Sequence, residues 1–101
     1  MKVVYAPRAL RDIDEVLAFI AKRSPAGAHS VSVAIEYTVH TLALNPRTGT
    51  MTDEPHLYRR PLGKYRYTIF YRLLPDDGGI EIVRVTHGAR VKNLGGLPED
   101  E

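Results

Sequence analysis

The sequence predicts an α+β fold: an N-terminal strand and an α-helical hairpin packed on a small, mostly antiparallel, twisted sheet, in the order β-α-α-β-β-β. Three observations support this prediction. Between residues 7 and 44, apolar residues recur every three or four positions, which is typical of helices with buried faces. Residues 57–86 contain runs rich in aromatic and β-branched side chains, which favour strands. The turn segment Pro75-Asp-Asp-Gly-Gly79 separates the last two of these runs.

A short strand and a first helix are predicted at the start of the chain. Lys2–Tyr5 is an extended apolar run, and Pro7 suits the first position of a helix because its missing N–H would be unpaired there. Lys22-Arg23 ends this helix, where positive charge is favourable. The apolar residues between these points recur with the period of one buried helix face: Leu10, Ile13, Val16, Leu17 and Ile20.

A second helix is predicted from Pro25 to Leu44. Ser24 is a good N-cap, and Asn45-Pro46 ends the helix because the residue before proline avoids helical backbone angles. A first apolar stripe consists of Val31, Ile35, Thr38 and Leu42. A second stripe consists of Val33, Tyr37 and Leu44. We therefore expect this helix to be buried over more than half of its circumference, between the first helix and the sheet.

The rest of the fold is predicted as a loop followed by three strands. Residues 47–56 have no period and predict an exposed loop, and Pro61 makes the run 57–62 a weak strand at an edge or bulge. Tyr65–Leu74 and Ile80–Thr86 are predicted to pair antiparallel because their connection is short. The buried face of the last strand stays open: Ile80, Ile82 and Arg84 share one face, and Glu81, Val83, Val85 and His87 share the other.

Length and composition are consistent with one domain. The chain has 101 residues, of which 44% are apolar, and we expect a single domain over residues 1–92 with a flexible tail over 93–101. It has no cysteine, which excludes disulfides and thiolate metal sites. No apolar run approaches the ~18–20 residues of a membrane span, and the first residues predict a strand rather than a signal segment, so we expect a cytoplasmic protein.

Positive charge is concentrated in the predicted sheet. Residues 1–55 carry six basic and six acidic side chains, whereas residues 56–92 carry eight basic and three acidic ones. A basic sheet would attract an acidic partner, either protein or nucleic acid. Basic side chains also keep an exposed sheet face or edge soluble, so each single arginine has an alternative explanation.

The sequence offers no pattern for metal or nucleophile chemistry. No two of its histidines share a helical i, i+4 spacing or a tight loop, so neither a metal site nor a cofactor is predicted. No serine lies on a sharp, glycine-flanked turn of the kind that presents a nucleophile. Asp12, Asp14 and Glu15 are interpreted as charges that are favourable near a helix start, not as general acids or bases.

A group of basic residues is the main candidate site: Arg60, Arg66, Arg84, His87 and Arg90. They lie on consecutive predicted strands or strand ends, so they can converge in space. Guanidinium groups hold carboxylates or phosphates bidentately, and neighbouring tyrosines stack on bases or pack on apolar side chains. A histidine here could transfer protons near neutral pH, although a strand-end histidine contacting backbone or solvent is the favoured interpretation.

Several short motifs, by their order and spacing, resemble the ParE branch of the RelE/ParE toxin superfamily over residues 3–91. The motifs are Arg11-Asp-Ile-Asp14, Arg23-Ser-Pro25, Leu44-Asn-Pro46, Arg60 before the central strand, Tyr67-Thr-Ile-Phe-Tyr-Arg72 and Arg84-Val-Thr-His-Gly-Ala-Arg90. The resemblance implies the RelE/ParE-like fold described above. It also implies a plasmid-stabilisation toxin of a type II toxin–antitoxin pair, held inactive by a cognate ParD-like antitoxin.

The resemblance further implies a protein that is not an enzyme, has no catalytic residues and inhibits DNA gyrase by binding it. Neither membrane association nor direct DNA binding by the chain alone is expected. A homodimer and a toxin–antitoxin hetero-oligomer both remain open. The residues expected to bind antitoxin or target are Arg60, Arg66, Tyr67, Arg72, Arg84, His87 and Arg90.

Two alternatives remain within the superfamily. The first is a RelE-like, ribosome-dependent mRNA endoribonuclease, with a catalytic set around the scissile phosphate made of Arg60, Arg66, Arg84 and His87. Many RelE-type members carry an arginine three positions before the tyrosine of the central strand. This chain has Thr68 at that position, so the ribonuclease set is incomplete. The second alternative is an inactive family member that only assembles with its antitoxin.

The second face of the sheet is expected to be uncovered, because the helical hairpin covers one face and no further element is predicted. We expect function to lie on this face, with its aromatic and basic residues. This uncovered face and the groove of the two-helix layer also predict an isolated chain that is poorly soluble or self-associates. We expect a small antitoxin to make it soluble by laying an extended or helical segment across both surfaces, through apolar anchors and acid–arginine pairs.

Overall fold

The computed structural model describes residues 2–87 and confirms the predicted α+β architecture. Its elements are β1 Val3–Tyr5, α1 Pro7–Ala21, α2 Pro25–Leu44, β2 Thr50–Met51, β3 Leu57–Pro61, β4 Tyr67–Leu73 and β5 Ile80–His87. Short 3-10 turns lie at Pro46–Thr48 and Pro75–Asp77. The two-residue strand β2 lies inside the segment that was predicted as a loop. Arg90 and the predicted tail 93–101 lie outside the described residues.

Both helices begin where the sequence predicts. Pro7 is the first residue of α1, and the preceding Ala6 is extended. The Oγ of Ser24 accepts a hydrogen bond of 2.9 Å from the amide of Gly27, which confirms the predicted N-cap of α2. The corner between the helices is therefore set by local chemistry.

The sheet has five strands in the order β1-β5-β4-β3-β2. The pairs β2–β3, β3–β4 and β4–β5 are antiparallel, whereas β1 is parallel to β5, with Val3 opposite Ile80. The first strand thus lies beside the last one. Pro61 ends β3 beyond the reach of β2, which pairs with Tyr58 and Arg59, and a sheet tolerates proline at such an edge position.

A β-bulge settles which face of β5 is buried. Phe70 lies opposite Arg84, but the next residue of β4, Tyr71, lies opposite Ile82, so Val83 is an extra residue in β5. The bulge reverses the inward–outward alternation at that point. As a result Ile80, Ile82 and Val85 all join the main core, while Val83 packs with Leu57 and Phe70 in a second cluster.

The expectation of an uncovered second sheet face is wrong for its apolar residues. Leu57, Phe70 and Val83 lie on this face and have exposed fractions of 2%, 0% and 9%. Each register partner of Leu57 and Phe70 is an arginine: Arg72, Arg59 and Arg84. The methylene stems of arginine can cover apolar neighbours while the guanidinium stays polar, so these cross-strand neighbours are suited to contribute to the burial.

The expected wide burial of α2 is also wrong. The first stripe is buried, as predicted, and Val39, which the prediction did not include, is buried with it. The second stripe is exposed instead, with Val33 at 48%, Tyr37 at 70% and Leu44 at 70%. These three residues lie diametrically opposite the buried stripe because a helix turns about 100° per residue. An apolar stripe of α2 therefore faces outward.

Neither helix of the described segment is long and apolar enough to cross a membrane. Within residues 2–87, no group of three or more acidic or histidine side chains is arranged to hold a metal ion.

Candidate functional site

Asp12 and Arg84 form a buried ion pair between α1 and β5. Arg84 Nε lies 2.8 Å from Asp12 Oδ2, and a second guanidinium nitrogen lies 3.3 Å from Oδ1. The side chains are 5% and 13% exposed. Arg8 Nε adds a contact of 3.2 Å to Oδ1 from one turn earlier in α1. The carboxylate is therefore held by two guanidinium groups.

Asp12 also closes the open edge of β5. Beyond β1, which ends at Tyr5, no strand within residues 2–87 pairs with that side of β5, and the amide of Val85 donates to Asp12 Oδ2 at 2.9 Å. The carboxylate thus takes the place of a further strand residue. The interpretation of Asp12 as a helix-start charge is wrong, because its side chain is buried against β5 and not in the first turn of the helix.

Arg84 and Arg60 do not form one cluster. Arg60 lies opposite Ile69 on the helix-facing side of β3, and its guanidinium donates to Thr48 Oγ1 at 3.1 Å. Arg84 lies opposite Phe70, whose side chain is on the other face, and its guanidinium reaches round the open edge of β5 to Asp12. The two guanidinium groups that the sequence analysis placed together therefore have different partners, Thr48 for Arg60 and Asp12 for Arg84.

Arg60 lies close to a buried tyrosine that anchors the connection after α2. The hydroxyl of Tyr71 donates to the carbonyl of Pro46 at 2.6 Å and accepts from the amide of Gly49 at 3.0 Å. Burial raises the pKa of Tyr71 above 10, and the Gly49 amide and the positive charge of Arg60 partly oppose this rise. A side chain at position 49 would collide with the Tyr71 hydroxyl, which explains the glycine.

Arg72 faces the second side of the sheet and has a cross-strand partner. Its Nε lies 3.6 Å from Glu81 Oε1, on the opposing residue of β5. The two side chains are 43% and 31% exposed, so the pair contributes at most about 1 kcal/mol to stability. Arg72 is thus on the same face as Phe70, away from Arg60.

One end of the sheet brings two of the predicted residues into contact. His87 is opposite Tyr67, and their rings meet edge to face with centroids 5.5 Å apart. Arg66 precedes Tyr67 and is exposed, as is His87. This small group has a base, a phenol and a cation next to solvent, whereas Thr68, the next residue of β4, is buried.

A groove lies between α2 and the β3–β4 turn, and the sequence analysis did not identify it as a site. Two adjoining cavities of about 450 and 550 Å³ share the side chains of Ala34, Tyr37 and Tyr65. Arg60 and Lys64 line one of them, and Val33 and His29 line the other. The second apolar stripe of α2 was the available signal, but its interpretation as core hid the groove.

These features, a helical hairpin on a mixed sheet and an outward apolar helix face, define a small α+β protein. The family model described as the ParE toxin of the type II toxin–antitoxin system parDE matches residues 3–92. The chain belongs to this ParE toxin family. No curated protein matches the sequence significantly.

Solved structures show the same fold. A chain of the chromosomal ParDE toxin–antitoxin system from P. aeruginosa superposes with a TM-score of 0.72 at 19% identity, covering 86% of this chain and 95% of that one. The intact E. coli RelBE toxin–antitoxin complex gives 0.60 at 14% identity, covering 84% and 93%. The isolated E. coli RelE toxin gives 0.58 at 14% identity, covering 84% and 81%.

Proposed function

We propose that this ParE-type toxin is a cytoplasmic, non-enzymatic inhibitor of DNA gyrase that a cognate ParD-like antitoxin neutralises. Membership of the ParE family supports the toxin–antitoxin role, and the arrangement of the arginines supports a binding rather than a cleaving toxin. The antitoxin is the expected partner in the resting cell. Gyrase is the expected target after the antitoxin is lost.

The observation that carries this proposal is the engagement of Arg84 by Asp12. A ribonuclease of this fold needs several cations around one phosphate, and Arg84 was the candidate from the last strand. Here its guanidinium is 13% exposed and lies against the buried carboxylate of Asp12 at the edge of β5, whereas Arg60 lies on β3 and donates to Thr48. Moving it to a phosphate would leave Asp12 buried without its main partner, which is costly. The buried Thr68 supplies no cation in its place.

A RelE-like ribonuclease is the second candidate, favoured by one specific feature. Tyr67 and His87 are in contact at an exposed end of the sheet, and the exposed Arg66 precedes Tyr67 in the chain, so a phosphate could be bound and a proton transferred there. Two of the four residues of the alternative catalytic set, Arg66 and His87, are in this group. Under this hypothesis the chemistry depends on His87.

His87→Ala therefore separates the two functions. We expect the variant to arrest growth as the parent does, with filamentous cells and DNA damage, and to inhibit supercoiling by purified gyrase equally well. The reason is that a binding toxin does not need a proton donor at this position. Circular dichroism of the purified variant checks that it is folded.

Loss of toxicity in folded His87→Ala, together with ribosome-dependent cleavage of mRNA by the parent chain, would favour the ribonuclease. Harmless overexpression of the parent, with no effect on gyrase or mRNA, would identify an inactive family member that only binds its antitoxin.

A further inference from the structure

The second sheet face is buried although the helices lie on the other side of the sheet. Leu57, Phe70 and Val83 form its apolar cluster, and Phe70 at the centre is 0% exposed. Every buried apolar residue of α1 and α2 belongs to the main core instead, as do the partly buried helix residues that pack on a cluster. Within residues 2–87, the helical layer therefore does not cover Phe70.

The arginines around Phe70 cover only part of its ring. Arg59 and Arg84 are its register partners on the two neighbouring strands, so they lie at its sides. The Arg84 guanidinium is directed to Asp12 at the edge of β5, and the Arg72 side chain is 43% exposed. A sheet face without a second layer normally contacts water, and full burial of a side chain needs atoms above it as well as beside it. The burial of Phe70 thus indicates a covering segment.

The chain that continues from β5 has the length and the side chains to supply this cover. The 14 residues 88–101 follow His87, which lies opposite Tyr67 at one end of the sheet. Fully extended, they span up to about 46 Å, and the seven residues of β4 span about 23 Å. The segment can therefore reverse after β5 and still cross the whole face. Its apolar residues are spaced by three positions: Val91, Leu94 and Leu97.

The charge of this segment complements the face. Its last three residues, Glu99-Asp100-Glu101, are all acidic. On the face, Arg59 is half-buried and Arg72 lies beside Leu57. The Nε of Arg72 is buried without a hydrogen bond, since the nearest carboxylate oxygen, on Glu81, is 3.6 Å away. A buried donor without an acceptor is unfavourable, and an added carboxylate would relieve this.

We propose that residues 88–101 of the same chain bind across the second sheet face. Val91, Leu94 and Leu97 pack over Phe70, and the acidic residues lie beside Arg59 and Arg72. A covalently attached segment has a high effective concentration at this face, so it excludes a weakly binding second copy. The inference replaces the expectation that residues 93–101 form a flexible tail. It also means that another molecule reaches this face only after the segment has left it.

A spin label on the segment tests where it lies. The chain has no cysteine, so Asn93→Cys gives a single attachment site for a nitroxide in the full-length protein. Amide signals near the nitroxide are lost from the ¹H–¹⁵N spectrum and return when the label is reduced. We expect the signals of Leu57 and Phe70 to be lost. Those of Val33 and Tyr37, on the outward side of α2, should be kept.

A substitution in the segment should release it from the face. Leu94→Asp in the labelled protein should restore the Phe70 signal, because a carboxylate would otherwise be buried against an aromatic ring. The matched control, Leu44→Asp, makes the same change at a position of α2 that is 70% exposed and should leave the Phe70 signal lost.

Neutralising the acidic end tests the contribution of charge. The combined change Glu99→Gln, Asp100→Asn and Glu101→Gln should return part of the Arg72 signal, because the pairing with the arginines is removed. Asp76→Asn with Asp77→Asn, on the exposed turn before β5, is the control and should have no effect.

Several results would overturn the inference. They are a Phe70 signal that the label leaves intact, losses at Val33 and Tyr37 instead, or equal effects of Leu94→Asp and Leu44→Asp. A mixed sample, in which the spin label and ¹⁵N are on different molecules, should keep the Phe70 signal. Its loss there would show that the segment of a second copy covers the face.

Discussion

At the scale of single residues, Asp12 shows how a local pattern can mislead. It lies on α1 with Asp14 and Glu15 nearby, and all three look like solvent-exposed acids. In the fold its carboxylate contacts Arg8, Arg84 and the amide of Val85, and it is 5% exposed. A buried charge is tolerated when hydrogen bonds and opposite charges surround it. Its role is to attach the first helix to the last strand.

Asp12→Asn should lower the free energy of unfolding by about 3 kcal/mol. The amide keeps the size of the side chain but leaves the Arg84 guanidinium without a compensating charge. Urea denaturation followed by circular dichroism measures the change. The matched control is Asp14→Asn, two residues along the same helix and exposed, which should change stability by less than about 0.5 kcal/mol. Equal effects of the two substitutions would contradict the structural role of Asp12.

At the scale of elements, the connection between α2 and β3 is held by β4. The predicted loop 47–56 has no periodic pattern, yet the Tyr71 hydroxyl binds both Pro46 and Gly49. The Tyr71 ring also stacks on Tyr58 of β3, with centroids 5.5 Å apart. One buried side chain thus orders the start of the loop and positions the short strand β2.

Tyr71→Phe should destabilise the chain by about 1–3 kcal/mol, because the Pro46 carbonyl and the Gly49 amide lose their partner. Tyr37→Phe removes an equivalent hydroxyl from an exposed ring and serves as the control, with a change of less than about 0.5 kcal/mol. Thermal unfolding of both variants at neutral pH distinguishes them. A Tyr71→Phe variant as stable as the parent would show that the loop is held by other contacts.

The same tyrosine predicts how stability depends on pH. Its pKa in the folded chain is raised above 10, so folding disfavours the phenolate. The stabilising contribution is complete below pH 10 and is lost as pH rises through the folded pKa. Urea midpoints between pH 9 and about 11.5 should therefore fall more steeply for the parent than for Tyr71→Phe. If the urea midpoints of the parent and Tyr71→Phe fell equally with pH, the raised pKa of Tyr71 would be contradicted. The pKa of Tyr5 is also raised, so some decrease of the midpoint with pH is expected in both proteins.

At the scale of the whole molecule, the first strand completes the sheet beside the last. The amide of Ile80 donates to the Lys2 carbonyl and the amide of Ala6 donates to the Ile82 carbonyl, both at 2.9 Å. This parallel pairing links the two ends of the described segment. It also places α1 across the open part of β5, where Asp12 binds.

Removing residues 1–5 should abolish cooperative folding. The deletion opens the edge of β5 at two fully buried isoleucines, Ile80 and Ile82, and small domains have only about 5–15 kcal/mol of total stability. Val4→Thr, on the more exposed side of β1, is the control and should keep a sharp unfolding transition. Urea titrations that show the same midpoint for the deletion and the parent would mean that β1 is not part of the cooperative unit.

Local patterns in the sequence predict most elements of this fold. The structure confirms three predictions that depend on residues close together in the chain: the beginning of the helices at Pro7 and Pro25, the N-cap at Ser24, and the antiparallel pair β4–β5. The family resemblance over residues 3–91 is likewise confirmed by the family match over 3–92. The residues proposed for antitoxin or target binding stay predictions.

By itself, then, the sequence determined the helices, the main strands and the toxin family, because periodicity, capping and turn chemistry act over a few residues. The tertiary structure alone decided the parallel place of β1, the bulge at Val83 and the burial of Asp12 against Arg84. It also decided that the second stripe of α2 faces solvent. The first three features depend on contacts between residues that are distant in the chain. The fourth could not be predicted because an apolar stripe shows that side chains are suited to burial, but not whether the surface that covers them belongs to the same chain.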